Sequence, residues 1–363
     1  MTRIAFLLPA LHGGGAERVA LSLMESFVAE GLEVDLVVAQ AVGELVELVP
    51  REVRLFDLKC LQYRHALRPF ARYLADRRPD AVQASMWPLT SIGIAAKWLS
   101  RTRPRFVVSE HIAISRECSG LGTLKRALAR LSIAATYPQA NARVAVSQGV
   151  ADDLARFGGL SRDRIDVIYN PIPIPPRIEP DEDALSGWGT GTGPRLLHVG
   201  AFRRQKNHRL LLEAFARTVS PDSTLLLLGD GPLRAEIEAD IRRLDLANRV
   251  VMPGFRSNPW PFYASADLLV LSSDFEGFGN VVAEAMAAGL RVISTDCPSG
   301  PAEILENGRY GWLVPCGDGK ALAEAIDRGL AEEVPAGVRD RARDFSPQRA
   351  ARAYLDLLLP GRL

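Results

Sequence analysis

Two glutamates, Glu276 and Glu284, stand with seven residues between them in the string EGFGNVVAE. Glu276 falls on a loop that follows the apolar run Leu268–Leu271. Gly277, Phe278, Gly279 and Asn280 lead from it into a helical pattern that carries Glu284. About one turn into that helix, the Glu284 carboxylate points toward the same edge as the loop. The first N–H groups of a helix lack intrahelical acceptors, so those around Gly277–Val281 can hold phosphate or sugar oxygens. A second glycine-bearing loop, Pro298-Ser299-Gly300-Pro301, closes on the same edge. Two acids beside two anion-holding loops suit a ligand with both hydroxyls and phosphates.

Three further segments place reactive types at strand ends. In LLHVGAFRRQKNH, Arg203, Arg204 and Lys206 follow a strand and precede a helix starting at about Asn207. Cations there form a site for a diphosphate and stabilise the charge that gathers on it as its bond to a sugar breaks. In VVSEHIAIS, His111 sits at the carboxyl end of a strand, where open α/β sheets hold ligands. In FLLPALHGGGAERV, Gly13, Gly14 and Gly15 join a strand to a helix and let backbone approach an anion. This is not the GxGxxG spacing of dinucleotide-binding proteins. Each segment also has an ordinary alternative: a tight turn, a structural histidine, a solvated basic loop.

These residues need strands that end together. Short Val/Ile/Leu-rich runs occur at Ile4–Leu8, Val34–Val38, Ala81–Gln83, Phe106–Ser109, Arg143–Val146 and Ile165–Ile168. A second series follows at Arg195–Val199, Thr224–Leu228, Val250–Met252, Leu268–Leu271 and Val292–Ser294. Helix-length segments between them imply α/β architecture with parallel sheets covered on both faces. The organisation expected is residues 1–170, residues 171–345 and a terminal helix within 346–363. The hinge falls at Asn170–Ile174, and Pro180–Pro194 reads as a mobile loop. The terminal helix is expected over Ser346–Leu359, capped by Ser346 with Pro347 in its first turn.

Composition narrows the classes. The 363 residues suit two domains, and a net charge of +1 gives no global attraction to a polyanion. Residues 51–130 nevertheless hold 16 basic against 6 acidic side chains. With little aromatic interleaving and no recognition motif, that patch does not point to nucleic acid. Cys60, Cys118, Cys297 and Cys316 form neither a CxxC pair nor a zinc spacing, which fits a cytoplasmic protein. No stretch of about 18 apolar residues is present, so no membrane span is expected. In Thr123–Leu131, Leu124, Leu128 and Leu131 recur at helical spacing beside Lys125, Arg126 and Arg130. Such a helix either faces the core or lies on the anionic inner face of a membrane as a peripheral contact.

EGFGNVVAE resembles the Glu-x7-Glu signature of family 4 of the retaining glycosyltransferases. GGGAERV, VSQGVADDL, YNPI, VGAFRRQKNH, LGDGPLR and CPSGPAEIL with GRYGWLVPCGD match its other segments in order, over nearly the whole chain. The resemblance implies a GT-B fold, two doubly wound Rossmann-like domains facing across a cleft, the N-terminal one for the acceptor and the C-terminal one for the donor. It implies a nucleotide-diphospho-sugar donor and no required metal or other cofactor. Glu284 then binds the donor ribose, and Glu276 contacts hydroxyls of the transferred sugar. The amides of Phe278, Gly279 and Asn280 contact sugar or phosphate. Lys206 with an arginine neutralises the diphosphate, Gly15 or its neighbours approach the phosphates, and His111 sits beside the sugar. One departure stands out. The family arginine that directly follows the strand-end glycine is replaced here by Ala201, which leaves Arg203, then Arg204, as substitutes.

The CPSGPAEIL and SEH segments resemble members that extend lipid-linked or surface polysaccharides from UDP-hexose or UDP-N-acetylhexosamine donors. The expected reaction is retaining transfer to a hydroxyl of a glycan or polyprenyl-diphosphate-linked acceptor, with the departing phosphate as base. A sugar-nucleotide epimerase, a phosphorylase or synthase, and a non-catalytic nucleotide-sugar-binding scaffold are the alternatives.

Overall fold

Runs such as Ile4–Leu8 and Leu225–Leu228 are apolar on both faces, and a parallel sheet with helices on each side buries both. The computed structural model, which describes residues 2–189 and 191–361, contains two such sheets. Among the described residues the first has seven parallel strands: β1 (Arg3–Leu8), β2 (Glu33–Val38), β3 (Arg54–Asp57), β4 (Ala81–Ser85), β5 (Arg105–Glu110), β6 (Ala142–Ala145) and β7 (Asp166–Val167). Their order is β3-β2-β1-β4-β5-β6-β7. The second has six: β8 (Arg195–Val199), β9 (Thr224–Leu228), β10 (Val250–Gly254), β11 (Leu268–Leu271), β12 (Arg291–Thr295) and β13 (Trp312–Val314). Their order is β10-β9-β8-β11-β12-β13. Both sheets are doubly wound, and their strand order reverses between β1 and β4 and between β8 and β11. Such switch points, outside the carboxyl ends of the strands, are where this architecture holds ligands.

The chain divides into two units, one built from residues up to Pro173 together with those from Phe345 onward, the other from Ile174–Asp344. The helix Pro347–Leu358 therefore closes the first unit. Its Ala350, Ala351, Tyr354, Leu355 and Leu358 share a core cluster with Met24 and Phe27 of the helix Gly15–Ala29. Arg105 Nε donates to the Leu357 carbonyl at 2.5 Å, and Ile172 N–H donates to that of Phe345 at 2.7 Å. Ser346 occupies the N-cap position with extended backbone but makes no side-chain capping bond.

Two features depart from the sequence reading, and a third decides between its alternatives. The edge strands β3 and β13 were not foreseen, because RLFD is largely exposed and WLV spans only three residues. The segment Pro180–Pro194 is not a plain loop. It carries the helix Glu182–Ser186, capped by Asp181, whose Oδ1 accepts from Ala184 N–H at 2.8 Å. Trp188 is 1 % exposed and donates to Ser265 Oγ at 2.9 Å, while Arg256 pairs with Asp183 at 2.6 Å, so the segment is anchored on both sides. Thr190 lies outside the described residues. In the helix Thr123–Thr136, Ala129 and Ile133 face the core, whereas Leu124, Leu128 and Leu131 are 72 %, 55 % and 64 % exposed. Among the described residues no helix is long and apolar enough to cross a membrane.

Candidate active site

In the second unit, Lys206 follows β8 and Glu276 follows β11, the two strands at the switch point. Lys206 Nζ lies 2.6 Å from Glu276 Oε1, and both side chains are largely buried. Ser273 Oγ donates to the same oxygen at 2.6 Å, and Gln205 Nε2 donates to Oε2 at 3.3 Å. Gln205 also donates to the Phe275 carbonyl at 2.8 Å, so it ties the loop after β8 to the loop after β11. Ser272 Oγ donates to the Lys206 carbonyl at 2.8 Å, and Asn207 Nδ2 donates to Asp274 Oδ1 at 2.8 Å. The result is a carboxylate and an ammonium held in one orientation at a strand-end crevice. A charge pair so oriented can accept sugar hydroxyls and donate to phosphate.

The floor beneath this loop is unusual. His198 and His208 are buried with ring centroids 4.8 Å apart, and Phe202 packs on His208 at 5.0 Å. His198 Nδ1 meets the Val270 carbonyl at 2.9 Å and so bridges β8 and β11. Burial holds both imidazoles down, to about 4 for His198 and about 2 for His208, with the Lys206 charge adding to the effect. Both rings are neutral at pH 7 and supply no positive charge to the crevice.

Glu284 lies in the helix Asn280–Ala288 and accepts from the Tyr263 hydroxyl at 2.6 Å. Gly277, Phe278 and Gly279 are buried and Asn280 is partly buried. Two glycines set the backbone here. Gly300 has φ +87°, and a Cβ on it would collide with the Phe278 carbonyl, so the PSGP loop lies directly on the turn into this helix. A Cβ on Gly229 would likewise collide with the Gly200 carbonyl, which lets the ends of β8 and β9 converge. Arg203 and Arg204 are exposed, and neither is brought onto Glu276. Arg204 opens the short turn Arg204–Lys206.

In the first unit, Gly14 is the N-cap of Gly15–Ala29, and Gly13, Gly14 and Gly15 are exposed at the end of β1. The Gly13 N–H donates to Glu44 Oε2 at 3.1 Å, so that amide already has an anionic acceptor. His111 follows β5, and its Nε2 lies 3.1 Å from Ser109 Oγ. Ser109, Ser85 and Gln83 form a buried network, with Gln83 Nε2 donating to both hydroxyls at 2.7 and 2.8 Å. His111 is partly exposed but its Nδ1 is enclosed, and burial holds the ring down to about 4, so it is neutral at pH 7. Next to it, Glu110 is buried and accepts from Tyr137 Oη, from Thr90 Oγ1 at 3.4 Å and from Trp87 N–H at 3.2 Å. Burial pushes its carboxyl up to about 8.

Sequence reasoning missed Gln205, Ser273, Tyr263, Glu110 and the His198–His208 pair. Gln205, Ser273 and Glu110 adjoin motif residues and were within reach. Tyr263 lies on the separate helix Trp260–Ser265 and only the fold brings it to Glu284. Among the described residues no three His, Cys, Asp or Glu side chains form a metal-holding group.

Two family models match the chain, together covering most of it: glycosyltransferase family 4 over residues 13–174 and glycosyl transferases group 1 over residues 193–332. An N-acetylgalactosamine-N,N'-diacetylbacillosaminyl-diphospho-undecaprenol 4-alpha-N-acetylgalactosaminyltransferase of Campylobacter jejuni is 25% identical, covering 99% of this chain and 100% of its own. The amylovoran biosynthesis glycosyltransferase AmsD of Erwinia amylovora is 24% identical, with 99% and 100% covered. The solved structure of Anabaena Alr3699/HepE in complex with UDP and glucose superposes with a TM-score of 0.82 at 21% identity, covering 99% of each chain. The paired doubly wound sheets and these matches place the chain in glycosyltransferase family 4, with the GT-B fold, as a glycosyltransferase.

Proposed function

We propose that the enzyme transfers a hexose or N-acetylhexosamine from a UDP-sugar to a hydroxyl of a glycan or polyprenyl-diphosphate-linked acceptor, with retention at the anomeric carbon. The observation that carries this reading is the Lys206–Glu276 pair, fixed by Ser273 and Gln205 at the switch point of the second sheet. One ammonium N–H is given to Glu276, which leaves two for diphosphate oxygens. Glu276 accepts hydroxyls of the transferred sugar, and Glu284, oriented by Tyr263, accepts the ribose hydroxyls. The amides of Gly277, Phe278, Gly279 and Asn280 serve sugar and phosphate oxygens. Exposed Arg203, with Arg204, swings onto the diphosphate, so that charge neutralisation comes from side chains with no resident metal or other cofactor.

In the first unit, the exposed backbone of Gly14 and Gly15 and the neutral ring of His111 stand beyond strand ends as hydrogen-bond partners for a bound ligand. The acceptor oxygen bonds to the anomeric carbon as the carbon–oxygen bond to the diphosphate breaks. The acceptor proton passes to the departing phosphate. Positive groups aimed at that phosphate act on charge that develops only as the bond breaks, which accelerates the step instead of merely tightening binding.

The donor class is supported by the UDP bound in the Anabaena structure, and the acceptor class by the diphospho-undecaprenol in the Campylobacter jejuni enzyme's name. The outward Leu124, Leu128 and Leu131, beside Lys125, Arg126 and Arg130, support a peripheral seat on an anionic cytoplasmic leaflet, where a polyprenyl acceptor lies. The test is nucleotide diphosphate release from UDP-, GDP- and ADP-sugars with and without membrane lipid extract. UDP release that requires the extract, with an anomerically retained product by NMR, supports the reading. No release from any donor, or an inverted product, overturns it.

A further inference from the structure

In the second unit, β12 and β13 run parallel in a register that pairs Thr295 with Val314. The ladder continues one step beyond the strands, because Asp296 N–H donates to the Val314 carbonyl at 2.7 Å. One residue further, an extension of the same count brings Cys297, in the loop after β12, level with Cys316, in the turn after β13, and the Cys316 thiol is near enough to help push the Cys297 thiol up. Neighbouring strands lie ~4.8 Å apart, and a disulfide accepts Cα separations of ~4.4–6.8 Å. Both sulfurs adjoin the Glu276 shelf. Cys316 Sγ lies 3.9 Å from the carbonyl of Ser273, whose hydroxyl holds Glu276, and Cys297 precedes Pro298, whose carbonyl accepts the Glu276 N–H at 3.5 Å. Both are thiols in this structure.

We propose that Cys316 and Cys297 form a thiol-modification site for low-molecular-weight disulfides, closing to an intramolecular disulfide that disables the donor site. Cys316 is exposed and Cys297 is 3 % exposed, so the external disulfide meets Cys316. The Cys316 thiolate bonds to one sulfur of RSSR, the S–S bond breaks, and one RS⁻ leaves and takes a proton. The Cys297 thiol then gives up its proton and attacks the Cys316 sulfur, expelling a second RSH. Two protein thiols are oxidised to one disulfide while RSSR is reduced to two RSH. Burial, with the Glu276 carboxylate nearby, pushes the Cys297 thiol up, which makes it the resolving sulfur and Cys316 the attacking one. Closure draws Cys316 from the Ser273 carbonyl and pulls on the Cys297–Pro298 loop, so both supports of Glu276 shift. Nothing in the chemistry of closure depends on the transfer reaction, but its consequence rests on the donor site proposed above.

The experiment treats the full chain with glutathione disulfide and reads peptide mass and UDP-sugar turnover together. The expected result is a Cys297–Cys316 peptide lacking two hydrogens and turnover lowered about 10- to 100-fold, the scale of an ångström's misplacement. Both effects reverse with dithiothreitol, and Cys316→Ser escapes both. Cys60 and Cys118, buried in the first unit, serve as internal controls. A glutathione adduct that stays on Cys316, or no modification at all, overturns the closure. A crosslink that leaves turnover unchanged overturns its link to the donor site. If the reduced enzyme turns over no sugar nucleotide, the proposed function fails, and the crosslink remains readable by mass.

Discussion

The Tyr263 hydroxyl donates to Glu284 Oε2 across 2.6 Å and joins the helix Trp260–Ser265 to the helix Asn280–Ala288. That bond fixes the orientation of the carboxylate, which a ligand diol can use without first ordering the side chain. Tyr263→Phe removes only that donor. A hydrogen bond to a charged group contributes ~1.5–3 kcal/mol, part of which water recovers in this half-buried setting. The expected outcome is a rise of about 5- to 10-fold in the UDP-sugar KM with kcat little changed. A fall in kcat at constant KM would show that Glu284 acts on the reacting bond instead.

Lys206→Ala leaves Glu276 with neutral donors alone and removes the cation proposed to meet the leaving group. Loss of one such group costs about 10²- to 10³-fold in kcat. Glu276→Ala is expected to lower turnover more than tenfold, a barrier change above ~1.4 kcal/mol. Steady-state kinetics, alongside circular dichroism to verify folding, checks both. Turnover within tenfold of wild type for Glu276→Ala would remove that residue from its assigned role.

The pH dependence of stability has two opposed limbs. The buried Glu110 carboxyl holds its proton up to about 8, against 4.5 for an ordinary glutamate. Between those values the folded chain binds the extra proton, so stability falls as pH rises. His111, His198 and His208 are held down to about 4, about 4 and about 2, against 6.5. Below 6.5 the unfolded chain binds those protons, so stability rises with pH. Between about 6.5 and 8 the histidine contribution is flat and that of Glu110 still falls. Thermal melts across that window are expected to show a declining Tm in wild type and a shallower decline in Glu110→Gln. Equal slopes would mean that Glu110 is ionised in the folded protein.

Gly300→Ala forces a methyl group toward the Phe278 carbonyl at a φ of +87°. Strain of this kind costs about 1–3 kcal/mol before any clash is counted, and it displaces the loop that lies on Phe278 and Gly279. Donor affinity, measured by titration with UDP, is expected to fall at least about tenfold, with a lowered Tm. Unchanged UDP affinity would place the PSGP loop outside the donor site.

Replacing Leu124, Leu128 and Leu131 together by glutamine takes away an outward apolar row without touching Ala129 or Ile133. Each buried leucine contributes roughly 1.5–3 kcal/mol to transfer from water. Flotation with anionic vesicles is expected to lose most of the bound protein, while stability changes little. Wild-type flotation that ignores anionic lipid would sink the membrane contact.

Strands that carry catalytic loops are buried on both faces, and their composition says so: Leu196–Leu197, Leu225–Leu228 and Leu268–Leu271 announce themselves. Edge strands do not. Arg54–Asp57 pairs through its backbone with Asp35–Val38 while its side chains meet solvent, so no apolar pattern marks it. The same division runs through the site. Glu276 and Lys206 sit 70 residues apart, yet each lies in a legible strand-end motif, and the parallel order of β8 and β11 brings them into contact. Tyr263 belongs to no motif, and its partnership with Glu284 is set by packing alone. The Pro180–Pro194 segment misled for a related reason. Its glycines, prolines and acids read as solvated, whereas one tryptophan, Trp188, anchors it.

The helix Pro347–Leu358 gives the chain an awkward birth. Translation delivers the strands of the first unit before those of the second, yet Tyr354, Leu355 and Leu358 reach the ribosome exit only after the whole second unit has been made. Until then Met24 and Phe27 of Gly15–Ala29 pack on the strands of their own unit but lack the cover of this helix, and nascent chains with such partly open faces are the ones that aggregate or recruit chaperones. The second unit is contiguous in sequence and carries no such debt. Nascent-chain proteolysis should therefore find the later-made half protected before the earlier-made one, and a ribosome stalled before the helix Pro347–Leu358 emerges should strand the half that was synthesised first.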